Sequence, residues 1–228
     1  MAPPQRALLP APVAVALSLG MVHSSVTLKH GSMLDELPEQ EMAMAFLDGT
    51  ERVLEIGGNV GRNSIVIDRM QRGRGGSLVV LESDPDVAAQ LTENKLANGC
   101  AFEVVVGALS KGPVYQEGWA SVRADAPPSS RHRPVPTVDI ARLGASRCFD
   151  ALVADCEGAL AQILDDYPEL LDGVRTVVIE NDFIDDTDKR RVHGLFASRG
   201  LSVVYQRGLF WGVRGEWIPD FYQVWAKN

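Results

Sequence analysis

Four short stretches hold the side chains that could do chemistry, and each stands where an apolar run ends. Residues 54–61, LEIGGNVG, put a carboxylate, Glu55, ahead of glycines at 57, 58 and 61. A dinucleotide loop needs GxGxxG, so that its middle glycine lets the backbone approach a pyrophosphate. Asn59 occupies that position here, so close phosphate contact is not expected. A carboxylate is unfavourable beside a phosphate but attractive beside an ammonium or sulfonium group. In residues 79–85, VVLESDP, Glu82 follows Gly57 by 25 residues, where an acid accepts hydrogen bonds from two ribose hydroxyls. Together, Glu55 and Glu82 fit a nucleoside without phosphates, and S-adenosylmethionine carries both cationic groups. The plainer alternatives are a tight strand-to-helix turn that binds nothing and a solvated strand end.

The other two stretches are residues 152–160, LVADCEGAL, and 177–182, VVIEND. Asp155 ends one apolar run and Glu180 with Asn181 ends the next, so three oxygen-bearing side chains are expected to converge. Hard oxygen ligands suit Mg2+ or Ca2+, and such an ion lowers the pKa of a coordinated hydroxyl. The layout is similar to that of metal-dependent catechol-type O-methyltransferases. In the competing reading, Asp155 holds the cofactor's amino group while Glu180 orients loop amides or substrate. Glu157 enters the next helix, whose dipole is expected to hold its pKa low and make it a substrate clamp rather than a base. His23, His30, His132 and His193 follow no strand end, and only His132, in a lid-like loop, is a candidate for touching substrate. Cys156 reads as a packed residue, because methyl transfer needs no covalent intermediate.

The elements that must position these residues follow from periodicity. Short apolar runs at 52–56, 77–81, 102–106, 149–154 and 175–179 alternate with helical stretches at 63–70, 86–98 and 159–167, which is how a parallel sheet with crossover helices reads. A helix at 188–199 stops at Gly200, and runs at 201–206 and 221–226 follow with no helix between, so they are expected to be antiparallel neighbours. With a leading helix at 38–47, the expectation is an α/β fold with a seven-stranded, mostly parallel sheet, an antiparallel last pair and helices on both faces. Residues 117–136 are rich in Pro, Ser and Arg without a period and read as a mobile lid-like loop. Trp211 and Trp217, between the last two runs, read as surface or homodimer contacts.

The 228 residues carry a formal charge of -8, and an acidic surface repels phosphate backbones, so nucleic acid is not an expected partner. Three cysteines without CxxC spacing indicate neither a disulfide framework nor a zinc site and fit a reducing compartment, the cytoplasm. The apolar run behind Arg6 has the flavour of a secretory signal, but Pro10 and Pro12 interrupt it and no clear AxA site follows. It is also too short and broken for a membrane span. Residues 1–32 are therefore read as an arm, loose or adding a strand, and 33–228 as one domain.

Six motifs in order resemble the FkbM-type methyltransferases, a branch of the class I S-adenosylmethionine-dependent enzymes. VLEIGGNVGRNSIVI resembles the family's DxGANxGxxS loop, LESDPDVAAQLTENKLAN its EPxPxxxxxLxxNxxxN helix, and VVVGALS the segment flanking the adenine. PTVDI resembles the TLD turn, LVADCEGAL the KIDVEGAE signature, and VVIEND the strand ending in glutamate. The resemblance implies a Rossmann-like class I fold with S-adenosylmethionine held by Glu55, Gly57, Asn59, Gly61 and Ser64, then Glu82 and Ser83, then Ala108 and Asp155. It implies catalysis around Asp155, Glu157 and Glu180 and a small-molecule hydroxyl, of a sugar or polyketide, as acceptor. Val153 stands where the family has Lys, and Leu160 where it has an acid.

Overall fold

The computed structural model describes residues 12–143, 148–183, 185–211 and 216–227. In chain order the elements are α1 (Pro12–Ser24), α2 (Leu37–Phe46), β1 (Arg52–Ile56), α3 (Arg62–Gln71), β2 (Ser77–Glu82), α4 (Pro85–Ala97) and β3 (Glu103–Val106). Five short strands follow: β4 (Ala108–Leu109), β5 (Val114–Glu117), β6 (Ala120–Arg123), β7 (Arg133–Val135) and β8 (Thr137–Val138). The chain then returns through β9 (Ala151–Ala154), α5 (Leu160–Asp166), β10 (Thr176–Glu180), α6 (Asp186–Ser198), β11 (Leu201–Trp211) and β12 (Glu216–Lys227).

The main sheet has seven strands in the order β11-β12-β10-β9-β1-β2-β3. β3, β2, β1, β9 and β10 are parallel, while β12 runs antiparallel between β10 and β11. The parallel strands read as continuous apolar runs because helices cover both of their faces. Alternate residues divide between two cores. Leu54, Ile56, Leu152, Ala154, Val177 and Ile179 pack with Leu160 and Leu164 of α5 and Val192 and Phe196 of α6. Val53, Val80, Val153 and Val178 pack on the opposite face with Met42 and Ala43 of α2, Ile65 and Ile67 of α3 and Leu91 of α4. This division sets the site: Glu55, Asp155 and Glu180 share the α2 face, whereas Asn181 continues the other one.

The structure differs from the sequence expectation in three places. First, residues Pro12–Ser24 form the helix α1, where an arm, loose or adding a strand, is expected. Residues 12–32 are thus neither loose nor a strand, and α1 packs on α2. The expectation for residues 1–11 lies outside the described residues. Second, the stretch 117–136 is no aperiodic loop: β5 pairs antiparallel with both β6 and β7 in a small separate sheet. Third, β11 and β12 run well beyond 206 and before 221, so Trp217 lies on a strand, half exposed against Phe210 (ring centroids 4.8 Å apart). Among the described residues no helix is long and apolar enough to cross a membrane.

Candidate functional site

The glycine loop links β1 to α3 and leaves no room for a side chain at Gly57 or Gly58. Gly57 has φ 89°, and a Cβ there would lie 1.6 Å from the carbonyl oxygen of Asp155, so loop and β9 end are in backbone contact. The Gly57 and Gly58 amides both donate to the Leu81 carbonyl (3.0 and 2.9 Å), fixing the loop to the end of β2. There Glu82, only 7% exposed, accepts from the Asn59 amide (2.8 Å) with one carboxylate oxygen and from the Asp84 amide (2.9 Å) with the other. Burial raises its pKa against those two hydrogen bonds.

These residues form one wall of an open cavity. Gly57, Asn59, Glu82, Ser83, Ala108, Asp155 and Glu157 all line it, so the structure brings together seven residues singled out from the sequence. Gln116, Trp119 and Ser121 on the β5–β6 hairpin form the facing wall, and Gln162 of α5 adds to it. The lid-like reading of 117–136 placed that stretch near the ligand, but its aperiodic composition did not signal the hairpin that forms the wall.

A second, much smaller cavity lies under α2 and shares Gly57 and Asp155 with the first. Glu55 faces this one, buried, accepting from Ser64 Oγ (2.5 Å) and Asn63 Nδ2 (3.1 Å). Burial pushes Glu55 up to about 8. Ser64 lines neither cavity; it holds Glu55 instead. Gly61 lines neither and caps α3 with φ 91°.

Carboxylate oxygens of Glu39, Asp155 and Glu180 lie within 4.8 Å of one another in this second cavity. Burial, then the neighbouring carboxylates, raises Asp155 well above its ordinary value, and burial with the Glu39 contact raises Glu180 likewise. Glu39 is 6% exposed and its Oε2 has no hydrogen-bond partner. Asn181, expected as the third member, is absent from the group: its Nδ2 donates to the Asp220 carbonyl (2.5 Å) and its Oδ1 meets His193 Nε2 (2.9 Å). The cause is strand alternation, which points residues 180 and 181 to opposite faces. Glu39 takes its place, a residue that no local pattern joins to the strand ends.

Glu157 also departs from expectation. It stands before α5 with φ 51°, is not the helix cap, and burial raises its pKa where a helix end would lower it. Asp182, missed in the sequence, is pushed up to about 6 by burial and accepts from the Gly158 and Glu157 amides, bracing that turn. Among the described residues, three non-glycine residues have positive φ: Glu36, Asn59 and Glu157, and each lines one of the two cavities. Such conformations cost about 1–3 kcal/mol each and gather at functional sites. Cys156 lines the main cavity, its thiol raised well above normal by burial, which suits packing rather than nucleophilic attack. His132 is tied to Ser129 and Glu117 and lies outside both cavity walls.

No family model matches the chain, and no protein of curated function matches its sequence. Solved structures match its fold. It is similar to cofactor-bound Rv0187 from MTB, with TM-score 0.53 and 20% identity over 97% of this chain and 94% of that one. It is similar to the O-methyltransferase from Bacillus cereus in complex with SAH, with TM-score 0.53 and 15% identity over 97% and 94%. It is also similar to the O-methyltransferase TomG from Streptomyces achromogenes, involved in tomaymycin synthesis and solved with SAM, with TM-score 0.51 and 16% identity over 97% and 92%. The chain therefore has the Rossmann-like methyltransferase fold.

Proposed function

We propose that this chain is an S-adenosylmethionine-dependent O-methyltransferase of the FkbM type, acting in the cytoplasm on a hydroxyl of a small molecule such as a sugar or polyketide. The observation that carries the reading is Glu82. Each of its oxygens accepts one backbone N–H, which leaves a lone pair on each for the adjacent hydroxyls of a ribose. The cofactor-bound methyltransferases of the same fold support that choice of nucleoside. A nicotinamide dinucleotide fits less well, because Gly58 packs against Val80 and Leu91 and the loop has no second glycine free to approach a pyrophosphate.

The bound cofactor supplies a methyl group made electrophilic by its sulfonium. Glu82 would orient the ribose, and the side-chain-free edge at Gly57 would admit the chain beyond it. Glu157 stands in the main cavity with proton affinity raised by burial, and so receives the proton that the acceptor hydroxyl gives up.

A divalent cation, Mg2+ or Ca2+, belongs to the same proposal with Glu39 in place of Asn181. The fit rests on three converging carboxylates, the unpartnered Oε2 of Glu39, and Val153, which stands on the same face where the resembled family carries a lysine. Glu39, Asp155 and Glu180 would hold the ion, which would supply the missing positive charge and acidify a nearby hydroxyl.

Isothermal titration with S-adenosylhomocysteine tests the core of the reading. The wild-type protein is expected to bind it and Glu82→Ala to lose at least tenfold in affinity; a wild-type protein that does not bind sinks the reading.

A further inference from the structure

The β5–β6 hairpin is built as a cover for the main cavity. Its strands pair in register from Val114↔Arg123 to Glu117↔Ala120, leaving a two-residue turn, Gly118 and Trp119. Gly118 has φ 60°, and a positive-φ glycine in first place is what a type II′ hairpin turn requires. The turn sets the indole at the cavity lip, in its wall yet 61% exposed.

Three contacts hold the cover in position. At the base, Arg123 forms an ion pair with Asp166, and its amide donates to Gln162 Oε1 (3.2 Å). In the middle, Gln116 is buried and accepts from Ser83 Oγ (3.2 Å), the residue next to Glu82, while its Nε2 donates to the Gly118 carbonyl (2.9 Å). On the outer side, Arg133 of β7 approaches Asp84 (3.6 Å). Gln116 therefore joins the ribose side of the cavity to the turn that carries Trp119. A large planar apolar surface left exposed on such a braced support lacks a planar partner, and a nucleobase supplies one.

We propose that Trp119 is a nucleoside-recognition residue that covers the base of the bound ligand, with Gln116 as the positioning residue that sets the indole relative to Ser83 and Glu82. This rests on the nucleoside reading of the site above. The β5–β6 hairpin is thus a specificity element of the cofactor site.

The test is calorimetric binding of S-adenosylhomocysteine and of adenosine to the wild type, Trp119→Ala, Trp119→Phe and Glu82→Ala, with thermal unfolding as the check on folding. Trp119 is exposed, so its variants are expected to unfold as the wild type does. Trp119→Ala is expected to weaken both ligands by about tenfold or more, the usual effect of losing a base-stacking aromatic, and Trp119→Phe to restore most of it. Wild-type Trp fluorescence should change on adenosine binding and that change should vanish in Trp119→Phe. If wild type and Trp119→Ala bind both ligands equally while Glu82→Ala does not, the hairpin proposal is wrong and the nucleoside site stands. If the wild type binds neither, both fall.

Discussion

Glu55 illustrates how one residue can be read correctly in type and wrongly in setting. The sequence marks it as a carboxylate for a cationic ligand, while the structure buries it under α2 with Ser64 and Asn63 as its donors. Its pKa of about 8 exceeds the unfolded value of about 4.3. Between those values the native state holds the proton more tightly, so the Glu55 contribution to stability should fall as pH rises from about 4.5 to about 8 and level off above, while Asp155 and Glu180, raised likewise, carry a fall to higher pH. Thermal unfolding across that range should show the fall, and Glu55→Gln should flatten it and unfold at higher temperature near pH 8. Asp182, raised to about 6, keeps part of the slope in the variant. An identical pH profile in Glu55→Gln would mean that Glu55 is ionised in the native protein.

At the scale of elements, α4 does more than cross between strands. Asn94 is fully buried: its Oδ1 accepts from the Lys29 (2.7 Å) and His30 (3.1 Å) amides, and its Nδ2 donates to the carbonyls of His30 (2.9 Å) and Val60 (2.8 Å). Asn98 one turn later accepts from the Thr27 amide (3.0 Å) and donates to its carbonyl (2.9 Å). The paired asparagines thus strap residues 27–30 along the helix and tie them to the glycine loop. Arg62, buried, holds the same strap further on through Glu36 (2.5 Å) and the Ser32 carbonyl (3.1 Å). Asn94→Ala should cost about 2–4 kcal/mol, because buried backbone groups lose their only side-chain partner. Chemical denaturation would measure it, and amide exchange at Lys29 and His30 should quicken. A cost below about 0.5 kcal/mol would mean that water replaces the side chain.

For the whole molecule the governing fact is charge. Glu36, Glu39, Glu55, Asp155 and Glu180 line one small cavity, and among the described residues the cation that forms an ion pair with one of them is Arg62, at Glu36. Like charges so confined hold protons or bind a cation. A ligand that binds only the native state at a hundred times its Kd adds about 2.7 kcal/mol of stability. Millimolar Mg2+ or Ca2+ should therefore raise the unfolding temperature of the wild type, EDTA should reverse it, and Glu39→Gln should abolish the response while itself stabilising the metal-free protein. If neither cation moves the wild-type transition, the cluster is a proton-sharing group only.

The sequence by itself determined the strands of the parallel core, the helices from α2 to α6 and the identity of the acids at strand ends, because periods of 2 and 3.6 and the residues that stop them are local properties, whereas the order of the strands in the sheet is a tertiary property. The helix bounds shifted by no more than two residues. The meeting of Asp155 with Glu180 followed from their places at neighbouring strand ends, and tertiary structure decided the third member of the group. Asn181 turns away because alternation around Glu180 is settled by the core that Val178 joins. Glu39 and Trp119 enter because α2 packs over β10 and the β5–β6 hairpin folds over β2. Those approaches join residues far apart in the chain, and no local pattern encodes where one packed surface lands on another.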